Sequence, residues 1–356
     1  MQTQVANIRL SSSQSKPQSG GMKKSNHTVF GAGQVGLGLA RHLAAAGHEV
    51  RIVRRSAPGP HLDGVTWRQG DARDPDVAAS ACAGASVVYN CTNPSSYADW
   101  SGLPPLFRSI WDAAAGAGAR LVQLDNLYMY GKPEHEPFSE RTPERPCRDK
   151  GHMRKQLSDE LLARHRRGDL VATVGRASDF FGPDAPQTLL TRPDALRAIR
   201  KGGTVWTFGD PDLPHGYTFI PDVVKGLAVL GARAEAPGRV WHLPTTWKGT
   251  TRGLVDGLAS CAGTRATTRR VPTWLLRAVG VVSPLARALA DMAYQFEVPY
   301  VPDDGAFCHT FGVAPTPVDE ALAATVRPSV GGGFVGAAQN HPGGPHSGDQ
   351  KKDTPP

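Results

Sequence analysis

The chain has 356 residues, of which 40% are apolar and 20% charged, and its formal net charge is +8. This length and composition predict a globular protein of about two domains and exclude collagen-like, coiled-coil and largely disordered chains. Four units of this net charge come from residues 1–25, which contain four basic residues and no acidic residue. The rest of the chain has no basic run with interleaved aromatic residues, so we expect no nucleic-acid partner.

Five cysteines are spread along the chain without the close pairs of a zinc site or the spacing of a disulfide framework. They predict a reducing, cytoplasmic location and no bound metal. No stretch approaches the ~20 uncharged apolar residues of a membrane-spanning helix, so no membrane partner is expected. The best candidate, residues 275–289, contains Arg277 and Pro284 and predicts an amphipathic helix.

Short β-rich runs alternate with Ala- and Leu-rich stretches in the first half of the chain. The runs predict strands at 27–30, 48–53, 86–90, 120–124 and 170–175. The stretches between them predict helices at 35–46, 75–82, 105–115 and 155–165. Nearly continuous apolar strands that alternate with helices are typical of a parallel sheet covered on both faces. We therefore predict a doubly wound α/β fold, in which ligands bind at the carboxyl ends of the strands.

The first predicted strand runs directly into Gly31-Ala32-Gly33-Gln34-Val35-Gly36, and a helix begins at once. This G-x-G-x-x-G pattern between strand and helix is typical of a dinucleotide-binding turn. Gly31 permits the tight turn, Gly33 lets a pyrophosphate approach the backbone, and Gly36 lets the helix pack closely on the strand. The amides at the helix start, around Gln34 and Val35, are the expected phosphate donors.

The second predicted strand ends in Arg54-Arg55, where an NAD site would place an acidic residue for the ribose. Guanidinium groups suit a 2′-phosphate, so NADP(H) is the preferred cofactor and NAD(H) remains possible. The alternative is that one arginine is merely solvated.

Polar residues after the next two strands are further candidates for the cofactor site. Asp71 could accept from an adenine amino group, or it could cap a helix that opens near Asp74. Asn90, Cys91 and Thr92 end the strand predicted at 86–90 and are expected beside the nicotinamide ribose.

Several blocks resemble the short-chain dehydrogenase/reductase superfamily, specifically its extended branch, the NAD-dependent epimerase/dehydratase family. They are the glycine turn, Gly70-Asp71, LVQLDNLYMYG at 121–131, GRASDFFGP at 175–183 and YTFIPDVV at 217–224. The resemblance covers about residues 27–327. It implies a Rossmann-type NAD(P)-binding domain at 26–174, and at 175–327 the remainder of the sheet with a smaller substrate-binding lobe. It also makes a homodimer possible. Residues 1–25 and 328–356 are expected to be disordered tails.

The same resemblance implies a catalytic Ser and a Tyr-x-x-x-Lys pair. Aligned on the glycine that ends the block at 121–131, the Ser position is Asn126. Aligned on the following helix, the Tyr position is Gly151 and the Lys position is Lys155. The family's general acid is then missing, and Lys155 is the expected cofactor contact. The neighbouring cations Lys150 and Arg154 leave the register of this helix open.

Three side chains are candidates to replace the missing acid. Asn126 could donate a hydrogen bond to a substrate oxygen. Tyr128 is the candidate acid, because an extended backbone would turn Tyr128 and Tyr130 to the same side as Asn126; the alternative is packing beneath the loop. His152 has a suitable ordinary pKa, although a histidine at an exposed helix start is often a bystander.

The second half supplies aromatic residues that form either core or pocket. Residues 274–282 add an expected apolar wall. Four cations are candidates for a diphosphate or form a solvated helix face: Arg192, Arg197, Arg200 and Lys201.

We consider three functions. The first is an NADP(H)-dependent oxidoreductase that acts on a small, fairly apolar organic substrate, for which secondary metabolism is a natural setting. The second is a nucleotide-sugar epimerase or dehydratase. The third is a non-catalytic protein that senses NADP(H).

Overall fold

A computed structural model describes residues 25–94, 96–183 and 185–327. The predicted tails lie outside this part of the chain, apart from Ser25. The described strands are β1 (Asn26–Phe30), β2 (Glu49–Arg54), β3 (Val65–Gln69), β4 (Val87–Asn90), β5 (Arg120–Asp125), β6 (Ala172–Arg176), β7 (Asp179–Phe181), β8 (Thr204–Phe208), β9 (Tyr217–Phe219), β10 (Val240–His242) and β11 (Thr267–Val271). The described helices are α1 (Gln34–Ala45), α2 (Pro75–Cys82), α3 (Leu103–Gly116), α4 (Asp149–Arg166), α5 (Pro193–Arg200), α6 (Ile220–Ala232), α7 (Thr251–Cys261), α8 (Thr273–Val279), α9 (Pro284–Met292), α10 (Gly305–Phe311) and α11 (Val318–Val326).

Seven parallel strands form the central sheet, in the order β10-β6-β5-β4-β1-β2-β3. The chain reverses its direction of travel across the sheet after β3, so β1 and β4 are neighbours. The loops that follow β1 and β4 therefore face each other at the carboxyl ends of the strands, where such sheets bind ligands. The predicted doubly wound α/β fold is confirmed.

Two apolar layers cover the sheet. One contains buried residues of α1, α6 and α10, and the other contains those of α2, α3 and α4. β4 and β6 are buried along their whole length because helices lie on both faces. This burial explains why β4 begins with three apolar residues in a row rather than with an alternating pattern.

Most predicted elements of the first half appear where expected, and α2 has the predicted bounds. α4 is longer than predicted because it begins at Asp149. Gly151 disfavours a helix by itself. It is tolerated because a β-carbon there would lie 2.5 Å from the backbone oxygen of Tyr128, so the glycine lets α4 pack against the loop after β5.

The second half adds β10 to the central sheet and forms two separate strand pairs, β7 with β9 and β8 with β11. A domain boundary drawn at 174/175 runs through β6. The single amphipathic helix predicted at 275–289 is wrong, since α8 ends at Val279 and α9 begins at Pro284. Proline lacks an amide hydrogen and fits best in a first helical turn, where Pro284 now lies.

Candidate active site

The glycine turn joins β1 to α1 at the carboxyl edge of the sheet. Gly31 has φ +94°, a left-handed conformation that favours glycine. A β-carbon on Gly36 would lie 1.8 Å from the Gly31 oxygen, whereas one on Gly33 would meet nothing within 4 Å. Gly36 therefore serves the packing of helix on strand, and Gly33 leaves an open approach to the first turn of α1. The Gln34 side chain accepts a hydrogen bond from the Gln187 amide at 3.3 Å.

Arg54 and Arg55 end β2 beside this turn. The Nε atom of Arg54 donates to Ser56 Oγ at 2.7 Å, and its guanidinium lies 5.8 Å from the centre of the Trp67 ring. Arg55, the first residue after β2, is exposed, and its guanidinium makes no hydrogen bond to any described residue, although its charge helps to lower the pKa of the Asp71 carboxyl. One of the two arginines is thus committed to local contacts, and the other is available to an anion.

Asp71 follows β3 at the same edge and binds Arg73. The Arg73 side chain donates to both carboxylate oxygens of Asp71, at 3.1 and 2.6 Å, and lowers the pKa of that carboxyl. The cap of α2 is Asp74, which accepts from the Asp76 amide, so the capping alternative for Asp71 is wrong. The adenine contact of Asp71 stays a prediction.

The three residues after β4 have different surroundings. Asn90 is fully buried, with Nδ2 donating to Gln123 Oε1 and Oδ1 accepting from Thr92. The glycine turn, the loop after β4, the turn after β5 and the start of α4 border the region that we call the cleft. Asn90 lies beneath this region and is not exposed to it. Cys91 and Thr92 are partly buried and border the glycine turn, where a β-carbon on Gly31 would lie 2.8 Å from the Cys91 oxygen. Burial raises the pKa of the Cys91 thiol to about 12, so it stays protonated at neutral pH.

The chain does not remain extended after β5. Asn126 Oδ1 accepts from the Tyr128 amide at 3.1 Å, and residues Tyr128–Tyr130 form a 3₁₀ turn. The expectation that Tyr128 and Tyr130 share the side of Asn126 is therefore wrong. The Tyr130 hydroxyl lies 2.8 Å from His242 Nε2 in a buried network, as the packing alternative predicted. The Nδ2 amide of Asn126 has no partner among the described residues.

Tyr128 lies inside the cleft against two aromatic residues. Its hydroxyl is 3.2 Å from that of Tyr97, and its ring centre is 6.0 Å from that of Trp100. Burial raises the pKa of Tyr128 to about 12, with a smaller contribution in the same direction from Asp179 and an opposing one from Arg154. The phenol therefore stays neutral at neutral pH, and both charged groups act on it.

Two neighbouring cations near the start of α4 point in different directions, one into the protein and one toward solvent. Arg154 is buried, pairs with Asp125 at 3.2 Å and donates to Asn93 Oδ1 at 2.7 Å. Lys155, the expected cofactor contact, instead pairs with Asp159 at 2.8 Å and with Glu144 at 3.6 Å on the other side of the helix.

Two other positions of α4 bear on the alignment. Gly151 faces the Tyr128 backbone, where no side chain fits. Lys150 is half-buried, with Nζ 4.5 Å from the centre of the Tyr97 ring, and burial lowers its pKa. His152 is exposed on the helix surface, so it is not positioned to act in this cleft.

Asp179 and His215 form a pair that the sequence did not single out. His215 Nε2 lies 2.8 Å from Asp179 Oδ2, and its Nδ1 lies 3.2 Å from the backbone oxygen of Gln295. The block at 175–183 contains Asp179, but nothing in the sequence connects it with a histidine 36 residues later.

Two of the four candidate diphosphate cations of the second half are engaged, and the other two, Arg197 and Lys201, are exposed. Arg192 pairs with Asp194 at 2.9 Å, and Arg200 donates to the Val326 oxygen at 3.0 Å. The apolar wall predicted at 274–282 is also wrong for much of this stretch, because Trp274 and Val282 are 69% and 84% exposed. None of the residues of α8 is buried.

Comparison with known proteins identifies the family. Residues 28–243, more than half of the chain, match the NAD dependent epimerase/dehydratase family. The chain belongs to this family. The resemblance to extended short-chain dehydrogenase/reductases is confirmed, and these enzymes share the fold described above.

Individual relatives are more distant. A UDP-glucose 4-epimerase from Streptomyces lividans is 32% identical over 142 residues, which are 34% of this chain and 41% of that protein. The chain thus matches less than half of that relative's length. MoeE5 in complex with UDP-glucose and NAD superposes with a TM-score of 0.67 at 21% identity, over 85% of this chain and 97% of MoeE5. DesIV, a dTDP-glucose 4,6-dehydratase from Streptomyces venezuelae with NAD bound, gives 0.68 at 20% identity, over 85% and 95% of the two chains.

Two further observations concern other ligand classes. Within residues 25–94, 96–183 and 185–327, no helix is long and apolar enough to cross a membrane. The same residues contain no cluster of histidine, cysteine and acidic side chains that could hold a metal ion.

Proposed function

We propose that this protein is an NADP(H)-dependent oxidoreductase that acts on a small, uncharged organic substrate. The observation that carries the cofactor choice is the free, exposed guanidinium of Arg55 at the end of β2. A 2′-phosphate on the adenosine ribose would find there a donor that makes no hydrogen bond to a described residue and acts on the Asp71 carboxylate only through its charge. The MoeE5 and DesIV structures named above contain NAD, and the paired arginines are the feature that favours the phosphorylated cofactor here.

The residues of the glycine turn fit the pyrophosphate of such a cofactor. The open space at Gly33 gives access to the amides of the first turn of α1, whose dipole also favours an anion. Cys91 and Thr92 would border the cofactor on the β4 side. When bound, the nicotinamide would supply or accept a hydride.

We also propose that Lys150 and Arg154 take the positions that the resemblance gave to Gly151 and Lys155. The spacing of four residues is kept, and both side chains turn toward the cleft, whereas Lys155 pairs with surface carboxylates. Arg154 keeps its charge at all accessible pH values, so it can position a ligand hydroxyl or Asn93 but cannot exchange a proton. This site then lacks the family's phenol and needs another proton donor.

The charge of the cleft supports an uncharged substrate. Asp179 places a carboxylate near Tyr128 and Tyr97. In the second half, Arg192 and Arg200 are already bound to other groups. Two of the four cations considered for a diphosphate are therefore not free to bind one, and on this ground we favour a small neutral acceptor.

A nucleotide-sugar epimerase or dehydratase is the second candidate, because the similar proteins include enzymes of those names. Titration with UDP-glucose and dTDP-glucose in the presence of cofactor tests it. Millimolar or weaker binding of both is expected from the proposal. Micromolar binding of either would favour the second candidate.

The cofactor assignment is tested with Arg55→Ala. We expect NADPH affinity to fall at least tenfold, about 1.4 kcal/mol, and NADH affinity to stay within twofold, measured by nicotinamide fluorescence. Arg41→Ala on the exposed face of α1 removes the same charge away from the ribose and should change neither. Equal losses for both cofactors would refute the 2′-phosphate assignment, and binding of neither by the unsubstituted chain would refute the proposed function.

A further inference from the structure

His215 has a potential acceptor at each ring nitrogen, and satisfying both contacts takes one proton more than a neutral imidazole beside a carboxylate holds. A backbone carbonyl can only accept, so the Gln295 oxygen requires a hydrogen on Nδ1 of His215. At 2.8 Å, the contact between Nε2 and Asp179 Oδ2 then needs a second hydrogen. Either the imidazole is doubly protonated beside a carboxylate, or a neutral imidazole accepts from a protonated Asp179. One mobile proton lies between the two groups in both cases.

The surroundings hold His215 rigidly. Its side chain is 2% exposed, and its ring stacks on Phe296 at 4.3 Å between centroids and an angle of 12°. Tyr300 stacks near it at 5.9 Å. Because the ring cannot turn without breaking both hydrogen bonds, the proton cannot leave through the histidine.

Asp179 is the more solvent-exposed member of the pair. It begins β7, and its side chain is 33% exposed. Asp179 follows β6 at the carboxyl edge of the sheet, where β6 pairs with β5 and β5 leads into the turn that carries Tyr128. Tyr300, which stacks near His215, donates to the Leu127 oxygen in that turn, so the pair and Tyr128 border the same cleft. The Asp179 charge raises the pKa of Tyr128 and of Tyr97, whose hydroxyls are 3.2 Å apart. The charge of Arg154 lowers the pKa of Tyr128, so the Asp179 carboxyl and the Arg154 guanidinium both act on this phenol.

We propose that Asp179, loaded by His215, is the proton donor of this cleft and that His215 is its positioning residue. This rests on the proposed function, which supplies the reduced nicotinamide. In carbonyl reduction, the carbonyl carbon gains a hydride from that nicotinamide. The shared N–H or O–H bond of the pair breaks, and a new O–H bond forms on the substrate oxygen. The pair is left with one proton fewer and is reloaded from water.

Six other titratable groups lie around the Asp179–His215 pair. Five of these groups are tyrosines from the loop after β4, the turn after β5, β9 and the segment 294–300: Tyr97, Tyr128, Tyr217, Tyr294 and Tyr300. The sixth is an acidic residue on the loop before α4, Glu136. Burial is the largest cause of a raised pKa for each of these five tyrosines. Donation of a proton by any of these tyrosines would leave a phenolate in a buried position, which burial disfavours.

The first test needs no cofactor. The full chain is labelled with ¹⁵N-histidine, and long-range ¹H–¹⁵N correlation spectra are recorded from pH 5 to 9, with His215 assigned through His215→Gln. We expect hydrogens on both ring nitrogens, or a proton in exchange at Nε2, at neutral pH. Asp179→Asn should convert His215 to the neutral form with hydrogen on Nδ1 alone. A His215 signal that Asp179→Asn leaves unchanged would overturn the shared proton.

The second test measures proton donation with NADPH and 9,10-phenanthrenequinone, an uncharged aromatic dione. Asp179→Asn should lower kcat by about 10²- to 10⁴-fold, the range for loss of a general acid. His215→Gln should lower kcat less and displace its pH profile. The NADPH dissociation constant should stay within twofold in both. Asp169→Asn, an exposed carboxylate at the opposite end of β6, is the matched control.

Each outcome of the kinetic test separates the two proposals. A kcat for Asp179→Asn within threefold of the unsubstituted chain overturns the donor role. A chain that binds NADPH but does not turn over the dione between pH 5 and 9 also overturns it and leaves the cofactor site intact. A chain that binds no NADPH refutes the proposed function, and the spectra still decide whether the pair shares its proton.

Discussion

Gly33 and Gly36 lie three residues apart in one turn, but their hydrogens face different surroundings. The hydrogen of Gly36 points at the Gly31 oxygen, and that of Gly33 points into open space. The G-x-G-x-x-G pattern predicted both roles from sequence, because the backbone path of this turn is common to the strand-turn-helix unit. Substitution by alanine should therefore separate binding from stability.

Gly36→Ala should destabilise the fold by about 1–3 kcal/mol, the usual range for an overpacked position, because the helix must move off the strand. Gly33→Ala should leave the free energy of unfolding within about 0.5 kcal/mol. It should nevertheless weaken binding of NADPH at least tenfold, since the methyl group fills the approach to the phosphates. Urea denaturation and cofactor titration of both variants measure this. A Gly33→Ala variant with undiminished affinity would contradict the assignment of the phosphate site.

The register of α4 marks the limit of residue-level prediction. Neighbouring residues of a helix point about 100° apart, so an alignment error of one residue exchanges an inward side chain for an outward one. Lys150, Arg154 and Lys155 are all cations, and their chemistry alone cannot choose among them. The choice depends on Asp125 and Asn93, which reach Arg154 from β5 and from the loop after β4.

At the scale of elements, α4 is attached to the sheet through a buried ion pair. Arg154 and Asp125 are 3% and 4% exposed, and the Arg154 guanidinium lies 5.0 Å from the centre of the Trp100 ring. Burial raises the pKa of Asp125, and the charges of Arg154 and Arg176 act in the opposite direction. Loss of one partner would leave a buried group without compensation.

Arg154→Met should thus destabilise the protein by about 3–5 kcal/mol, measured by urea denaturation. Lys155→Met on the outer face of the same helix removes an exposed pair and should cost less than about 1 kcal/mol. The double substitution Asp125→Asn with Arg154→Met should recover part of the loss, because it no longer buries an unpaired charge. Similar losses of unfolding free energy for Arg154→Met and Lys155→Met would show that Arg154 does not form the buried ion pair with Asp125.

The turn after β5 shows why the strand itself could be predicted correctly while the extended backbone predicted beyond it was wrong. The strand ends at Asp125, and the Asn126 side chain then accepts from the Tyr128 amide. Asparagine forms this kind of turn readily. The sequence LDNLYMYG contains that signal, but its apolar and aromatic residues also fit a strand, and tertiary contacts decided between them.

At the scale of the whole molecule, the parallel sheet could be predicted because each strand is a short apolar run followed by a helix. The pairing of β7 with β9 and of β8 with β11 could not, since each is a short strand whose partner lies far along the chain. The Asp179–His215 contact depends on the first of these pairs. Sequence patterns report local structure, and this part of the candidate site is assembled by long-range packing.

Buried histidines should make the stability of the fold depend on pH. Burial, helped by the neighbouring His48, lowers the pKa of His27 in β1 to about 4, and its Nδ1 has no partner among the described residues. The unfolded chain protonates this histidine near its ordinary pKa of 6.5, so the unfolded state binds more protons between pH 6.5 and 4. Stability contributed by neutral His27 is therefore complete above pH 6.5 and is lost as the pH falls toward 4.

His27→Gln should accordingly remove about 2 kcal/mol of the difference in unfolding free energy between pH 6.5 and pH 5. His309→Gln, an exposed histidine on α10, serves as the control and should leave the pH dependence unchanged. Urea denaturation at the two pH values gives the comparison. Parallel pH dependences for His27→Gln and the unsubstituted chain would show that His27 ionises normally in the folded state.

The thiols of the described chain differ sharply in reactivity as a result of where they are buried. Burial raises the pKa of Cys91, beside the glycine turn, to about 12, and it does the same for Cys82 beneath the sheet. The thiolate is the nucleophile in alkylation and oxidation, so these two cysteines are shielded at neutral pH. Cys261 at the end of α7 is exposed. A maleimide dye can therefore be attached at α7 while the cleft keeps its native thiol.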